Sequence, residues 1–339
     1  MPGGAVPSLP SEPWAGLQDA ARRLAEGGLV AFPTETVYGL GARADDDRAV
    51  AAIFSAKGRP ASHPLIVHVA DAAQAEVFAS EVPPVARRLM TAYWPGPLTL
   101  ILPRKPDMAS TAAGGHPGIG LRCPAHPVAR KLLAAALALG VPGVAGPSAN
   151  RFGRISPTTA QHVRNDFGTG LCIVDGGPCS VGVESAIVDC SARHPVLLRP
   201  GALTRAQIEA VAAEPLRAPD RHAAAAPGTL RAHYAPRARL RLLQTRELRS
   251  ALQAQAASGP AGHMAVYSRS TPSSLGLTRS WTGHWRAKPG EAAAAAFELF
   301  AALRELDAPG TTQIWVEAPP EGEDWEAVRD RLQRAAAAD

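Results

Sequence analysis

The 339-residue sequence predicts an α/β protein of two domains. Three observations carry that prediction. Short apolar runs alternate with amphipathic segments along most of the chain. The stretch 213–236 loses this periodicity, is rich in Pro, Ala, Arg and His, and reads as an interdomain linker. Beyond it, strand and helix alternate again, the pattern of a smaller, mostly parallel sheet. The expected organisation is therefore a loose segment over 1–13, a first domain over 14–212, the linker over 213–236 and a second domain over 237–339.

Composition narrows the class. Hydrophobic residues make up 46 % and charged residues 19 %, an ordinary globular balance, and the net charge of +5 permits a nucleotide or RNA partner without requiring one. No apolar run approaches a membrane span, and the first residues lack a basic start followed by an apolar core, so the reading predicts a cytoplasmic protein with no membrane partner. Cys123, Cys172, Cys179 and Cys190 form no Cys-x-x-Cys pair and have no His cluster at metal spacing. Buried, reduced thiols are expected, and no metal ligands from side chains.

In order, the first domain opens with a helix over 14–26, closed by Gly27-Gly28, and a buried strand over 29–32. The strand delivers a polar loop, Pro33-Thr34-Glu35-Thr36-Val37-Tyr38-Gly39-Leu40-Gly41, where α/β proteins place ligands. A plain turn capped by Thr34 is the alternative. Gly39-x-Gly41 lacks the third glycine of a dinucleotide fingerprint, and no Walker A sequence occurs. A helix over 46–56 leads into Lys57-Gly58-Arg59-Pro60-Ala61-Ser62-His63, then a strand over 64–69 in which His68 reads as a packed residue. Helices over 72–79 and 84–93, the rigid turn Trp94-Pro95-Gly96-Pro97, a strand over 98–102, a strand over 119–124 carrying Arg122 and a helix over 126–139 follow. A short strand at 144–145 ends in Gly146-Pro147 and presents Ser148 and Asn150, with Ser156 and Thr158 beyond, Thr158 as a helix cap. Strands over 171–175, 185–189 and 196–198 complete the domain, the last reaching Arg199-Pro200-Gly201. In the second domain, strands over 240–243, 264–268 and 313–317 alternate with helices over 246–256, 291–306 and 325–337.

The chemistry concentrates in three places. Lys57 and Arg59 flank Gly58 and precede Pro60, which lets the backbone approach a ligand and stiffens the turn. Arg offers a planar fork and Lys a point charge, both suited to phosphate; a solvated surface pair is the alternative. Ser148 and Asn150 form an acid-free, donor-rich loop suited to phosphate oxygens or a base edge. Arg199, fixed by Pro200 and Gly201, adds a third cation at a strand end.

Taken together and in order, these stretches resemble the long form of the L-threonylcarbamoyladenylate synthase family. The matching segments are Pro-Thr-Glu-Thr-Val-Tyr-Gly-Leu-Gly, Lys-Gly-Arg-Pro with His-Pro-Leu, Tyr-Trp-Pro-Gly-Pro-Leu-Thr, Leu-Arg-Cys-Pro-Ala-His-Pro, Gly-Pro-Ser-Ala-Asn, Leu-Arg-Pro-Gly and, closing the linker, His233-Tyr234-Ala235-Pro236. The likeness is close through residue 201 and rests on architecture after residue 237. It implies a YrdC-like twisted mixed sheet with flanking helices and an open cleft, joined to a smaller Rossmann-like C-terminal domain. It implies a nucleotidyltransferase that makes threonylcarbamoyl-AMP and pyrophosphate from ATP, L-threonine and bicarbonate, with Mg²⁺ accompanying the ATP and no organic cofactor. A separate tRNA threonylcarbamoyl transferase would take the product, the first intermediate of tRNA N6-threonylcarbamoyladenosine at position 37; weak tRNA binding is a further expectation. By resemblance, Lys57, Arg59, Ser148 and Asn150 form the catalytic tetrad on the phosphates, and Ser156, Arg199 and Tyr234 complete the ATP site. Thr34, His63, Arg122 and Ser185 hold threonine, with Arg122 on its carboxylate. Ala186 stands where many relatives carry Thr.

Two other readings compete. A non-catalytic module for double-stranded RNA or tRNA would use the same cations on phosphates, but the chain carries no aromatic-and-basic RNA-recognition signature. A carbamoyl-transfer maturation factor with a YrdC-like segment would place Cys-x-x-Cys fingers ahead of it, and the sequence has none.

Overall fold

The computed structural model describes residues 16–220, 223–259, 261–275 and 282–338. The loose segment expected over 1–13 and the first residues of the helix expected over 14–26 lie outside these. Helix α1 (Leu17–Ala25) buries Leu17, Ala20, Ala21 and Leu24, one stripe at helical spacing. Strand β1 (Val30–Phe32) pairs antiparallel with β2 (Gly39–Arg43), so the expected loop over 33–41 is shorter than the sequence suggested. The reason is steric. A Cβ on Gly41 would lie 2.8 Å from both the Phe32 ring and Val144, so this glycine serves close strand packing rather than loop freedom.

Helix α2 (Asp47–Lys57) starts on Asp46, whose carboxylate accepts from the Arg48 and Ala49 amides, and stops at left-handed Gly58. Lys57 is thus the last helical residue rather than part of a loop. Strand β3 (Ile66–His68), helices α3 (Ala75–Phe78) and α4 (Pro84–Tyr93), strands β4 (Leu98–Pro103) and β5 (Gly118–Arg122), helix α5 (Pro127–Ala138) and strand β6 (Val144–Ala145) follow. Helix α6 (Ala160–Phe167) is capped by Thr159, not by Thr158 as expected. Strands β7 (Cys172–Ile173), β8 (Ala186–Asp189) and β9 (Val196–Arg199) precede α7 (Arg205–Ala212), which packs on α4. The nine strands form one mixed sheet in the order β7-β1-β2-β6-β3-β5-β4-β8-β9. Its central strands β3, β5 and β6 end around one cleft.

The second domain comprises β10 (Arg239–Leu243), α8 (Thr245–Ser258), β11 (Met264–Ser268), β12 (His284–Ala287), α9 (Ala292–Leu306), β13 (Gln313–Glu317) and α10 (Glu326–Ala336). Its four strands are all parallel, in the order β10-β13-β11-β12. The sequence reading missed β12: as an edge strand with no fully buried residue, His-Trp-Arg-Ala carries no apolar alternation.

The two domains share an apolar cluster in which Val37, Ile155 and Val183 of the first meet Phe300 of α9 and Val328 of α10. The approach is close enough that a Cβ on Gly182, at φ +84°, would lie 2.1 Å from the Phe297 carbonyl oxygen. A side chain there would push the domains apart. All four cysteines are unpaired, and Cys172 is half-buried rather than buried. No helix among the described residues is long and apolar enough to cross a membrane.

Candidate active site

The cleft is built from segment ends of the first domain that converge with the linker. The β1–β2 loop supplies Thr34, Thr36 and Val37; the segment after α2 supplies Arg59; β3 and β5 supply His68 and Arg122 from paired register positions. Gly146, Pro147 and Ser148 follow β6, Glu184 and Ser185 precede β8, and Arg199 ends β9. The linker closes the remaining side with Pro227, Gly228, His233 and Tyr234.

On one wall, Arg122 is buried and fully oriented. Its Nη2 donates to Glu35 Oε1 at 2.7 Å, Nη1 to Thr36 Oγ1 at 2.8 Å and Nε to the Gly96 carbonyl at 3.2 Å. Burial alone would raise the Glu35 pKa, but the Arg122 charge and hydrogen bonds outweigh it and hold the carboxyl below its usual range. Thr34 Oγ1 donates to the Val37 carbonyl at 2.6 Å, closing the loop on itself.

On the opposite wall, Arg199 joins three elements. Its Nη2 donates to the Ser185 carbonyl at 2.9 Å and to Ser185 Oγ at 3.2 Å, while Nη1 donates to the linker carbonyl of Pro227 at 2.9 Å. Ser185 Oγ lies 2.8 Å from Thr99 Oγ1. Arg59 donates to the Pro64 carbonyl at 2.9 Å and lies 5.6 Å from the Phe152 ring centroid. Burial lowers its pKa to about 10, with Arg199 adding to the effect and Tyr234 opposing it.

Three of the residues expected at the site support it from behind. Lys57 is buried, and its Nζ donates to the Ser148 carbonyl at 2.6 Å and to the Asn150 carbonyl. Burial, reinforced by the charge of Arg59, pushes its pKa well below the usual lysine range. Asn150 Nδ2 donates to the Arg151 and Arg154 carbonyls, and Ser156 Oγ donates to Glu184 Oε1 at 2.5 Å. The solvated-pair alternative for Lys57 and Arg59 does not hold: they retain 3 % and 9 % of their exposure.

His63 does not line the cleft; it is partly exposed, its ring 5.5 Å from that of Phe152. His68, read from sequence as packed, stands there instead. It is buried and edge-on to Phe32, with Nδ1 lacking a hydrogen-bond partner among the described residues, and burial lowers its pKa to about 3. The alternation of Val67, His68 and Val69 pointed to a core face, and only the strand's end at the cleft gives the ring a second role. Glu35 and Thr36 lie in the loop singled out from sequence, where two hydroxyls flank an acid. Glu184 and the C-terminal domain's contribution left no such signal.

Tyr234 adopts φ +62°, unusual for a bulky side chain, and is 1 % exposed. Its ring stacks on Phe300 of α9 at 5.4 Å and lies 4.2 Å from the His233 ring. Burial raises its pKa to about 12. Gly228 sits so close that a Cβ there would meet Tyr234 Oη at 2.3 Å. The cleft spans about 530 Å³ of space, part of it open to solvent. The linker's Pro227, Gly228, His233 and Tyr234 form part of its wall.

Buried polar atoms without partners mark where a ligand belongs. Arg59 Nε, His68 Nδ1, Asn150 Oδ1, His233 Nδ1 and Tyr234 Oη lack hydrogen bonds among the described residues, and all five belong to the cleft walls or the loop behind them. Orphaned polar groups in a well-packed protein indicate groups that a ligand or water must satisfy. The set offers cations and both donors and acceptors but no free carboxylate, since Glu35 and Glu184 are each held by an arginine. It suits a ligand carrying several anionic groups. No cluster of three or more metal-ligating side chains occurs among the described residues.

Comparison with known proteins agrees with this arrangement. The family model described as "Telomere recombination" (Sua5, YciO, YrdC) matches residues 22–201, and the model for the C-terminal domain of threonylcarbamoyl-AMP synthase matches residues 203–337. Threonylcarbamoyl-AMP synthase of Pyrococcus abyssi is 48 % identical over 233 residues, 67 % of each chain. The Bacillus subtilis enzyme of that name is 46 % identical over 235 residues, 67 % of this chain and 66 % of the relative. The crystal structure of P. abyssi Sua5 with L-threonine superposes with a TM-score of 0.84 at 37 % identity, covering 97 % of this chain and 96 % of that one. With the two domain models matched one after the other along the chain and the cleft walled by the first domain and the linker, this chain belongs to the two-domain threonylcarbamoyl-AMP synthase family.

Proposed function

We propose that this protein condenses L-threonine, bicarbonate and ATP into threonylcarbamoyl-AMP, releasing pyrophosphate. The observation that carries the reading is the convergence of buried arginines and orphaned polar atoms in one cleft that has no free carboxylate. P. abyssi Sua5, 37 % identical, has been solved in complex with L-threonine.

Threonine binds with its carboxylate on the free edge of Arg122 and its polar groups near Thr34, Ser185 and the Nδ1 acceptor of His68. Its amine attacks the carbon of bicarbonate, water leaves, and a carbamate forms. A carbamate oxygen then bonds to the α-phosphorus as the bond to the β-phosphate's bridging oxygen breaks and pyrophosphate departs. No covalent enzyme intermediate is needed, so positioning and charge stabilisation carry catalysis. Arg59 and Arg199 stabilise the phosphates, and the Ser148–Asn150 loop, held from behind by Lys57, contacts the nucleotide. ATP would enter as its magnesium complex, the ion supplying charge neutralisation at the phosphates; Glu35 and Glu184 are already paired with arginines and are not assigned to it. The linker must swing out to admit ATP and back to shield the labile carbamate from water. The product then serves a separate tRNA transferase.

The non-catalytic RNA-binding alternative is not favoured. Lys57, Arg59, Arg122 and Arg199 are all buried, out of reach of a duplex backbone. The test is pyrophosphate release from ATP, expected only when threonine and bicarbonate are both present. Release without threonine, or equal release with other amino acids, overturns the reading.

A further inference from the structure

Arg331 of α10 is the bulkiest wholly buried side chain among the described residues, and it belongs to the second domain. Its Nε donates to Glu184 Oε2 at 2.9 Å, and Nη2 donates to the Pro200 carbonyl at 3.1 Å. Nη1 donates to Asp330 at 2.6 Å, and the guanidinium lies 5.4 Å from the Tyr234 ring centroid. One side chain thus touches the residue before Ser185, the residue after Arg199 and the linker tyrosine.

Glu184 lines the cleft, and its other oxygen accepts from Ser156. An arginine that merely joined two domains would find its carboxylate anywhere along the interface. This carboxylate stands in the wall of a cleft whose other features call for anions. Left unpaired there, it would repel every phosphate and carboxylate that enters.

We propose that Arg331 is a positioning residue through which the C-terminal domain neutralises Glu184 and fixes Ser156 and Tyr234, making domain docking a condition of nucleotide binding. The inference rests on the reading of the cleft as an ATP site. The charged and titratable groups facing Glu184 are Arg331 of α10, Arg199 of β9, and His233 and Tyr234 of the linker, with Asp330 of α10 paired to Arg331 beside them. Burial pushes the Glu184 carboxyl up, and Arg331 foremost, then Arg199, brings it below its usual range. Without Arg331, burial is opposed chiefly by Arg199, and the carboxyl moves upward.

The experiment compares full-length wild type, R331M, R331K and the R331M/E184Q double variant. ATP binding is measured by calorimetry and pyrophosphate release by KM and kcat, both from pH 6 to 9. At pH 8, R331M is expected to weaken ATP at least tenfold, with affinity recovering as pH falls and Glu184 takes up a proton. R331M/E184Q is expected to regain most of that affinity and lose the pH response, and R331K to lose less than R331M. Wild-type ATP affinity in folded R331M overturns the proposal, as does a double variant no better than R331M. Should R331M fail to fold, R331M/E184Q decides: restored folding and ATP binding support the proposal, and an equally unfolded double variant overturns it. Failure of the synthase reading shows separately, as a wild type that binds ATP without threonine-dependent pyrophosphate release.

Discussion

Glu35 Oε1 and Arg122 Nη2 meet at 2.7 Å with 8 % and 4 % of their side chains exposed, so an arginine that lines the cleft is aimed by an acid from the β1–β2 loop. Glu35 Oε2 also accepts from the Ala125 amide at 3.0 Å, which ties that loop to the start of α5. The guanidinium cannot rotate away from the cleft without breaking this frame.

Arg122→Lys therefore removes a planar, pre-aimed fork. A hydrogen bond to a charged group contributes about 1.5–3 kcal/mol, so the threonine KM is expected to rise roughly ten- to a hundredfold. The ATP KM should change far less. Steady-state kinetics with each substrate varied in turn checks this, and equal rises for both would place Arg122 on the phosphates or in the scaffold.

Lys57 presents a different case, because its ammonium holds two carbonyls of the Ser148–Asn150 loop from within the core. Lys57→Met keeps most of the volume and leaves both carbonyls unpaired. Each buried group left unsatisfied costs about 1–3 kcal/mol, so the variant should melt several degrees lower as well as lose activity. Differential scanning calorimetry supplies the measurement. An unchanged melting temperature with activity abolished would make Lys57 a pure ligand contact.

Tyr234 Oη has no hydrogen-bond partner among the described residues, which separates binding from stability at this residue. Tyr234→Phe deletes an unsatisfied buried hydroxyl, so the melting temperature should hold or rise. If that hydroxyl bonds the nucleotide, the ATP KM rises about fivefold, the equivalent of a ~1 kcal/mol hydrogen bond. A lower melting temperature with an unchanged KM would reduce Tyr234 to an anchor for the linker.

His68 links the site to acid stability. Its folded pKa of about 3 lies below the ordinary value of 6.5, so between those limits the unfolded chain binds a proton that the folded chain does not. Stability from this group is therefore whole above about pH 6.5 and declines as pH falls, by about 1.4 kcal/mol per pH unit within the window. His233, also at about 3, behaves alike. Urea midpoints of wild type and His68→Gln at pH 7 and pH 4.5 test this; the variant's difference between the two pH values should be smaller, and an equal difference contradicts the assignment.

Much of the molecule follows from local sequence. Helix α4 begins and ends where its apolar spacing places it, because Pro84 opens it and the Trp94-Pro95 pair closes it. Strands β11 and β13 match their expected bounds, since the apolar runs are short and flanked by polar residues. The residues of the cleft were legible because glycine, proline, hydroxyls and cations cluster in unusual local combinations. The tertiary structure alone decided what each of them does. Lys57 and Arg59 read as exposed on any local rule, but both are buried, Lys57 against the carbonyls of Ser148 and Asn150, which are distant in sequence. His63 and His68 are both histidines near the same strand, and only the sheet's register carries the second, not the first, to the cleft. Arg331 sits on an amphipathic helix where a solvated charge is the ordinary reading; its pairing with Glu184 spans 147 residues of sequence, and no local pattern encodes a partner so distant.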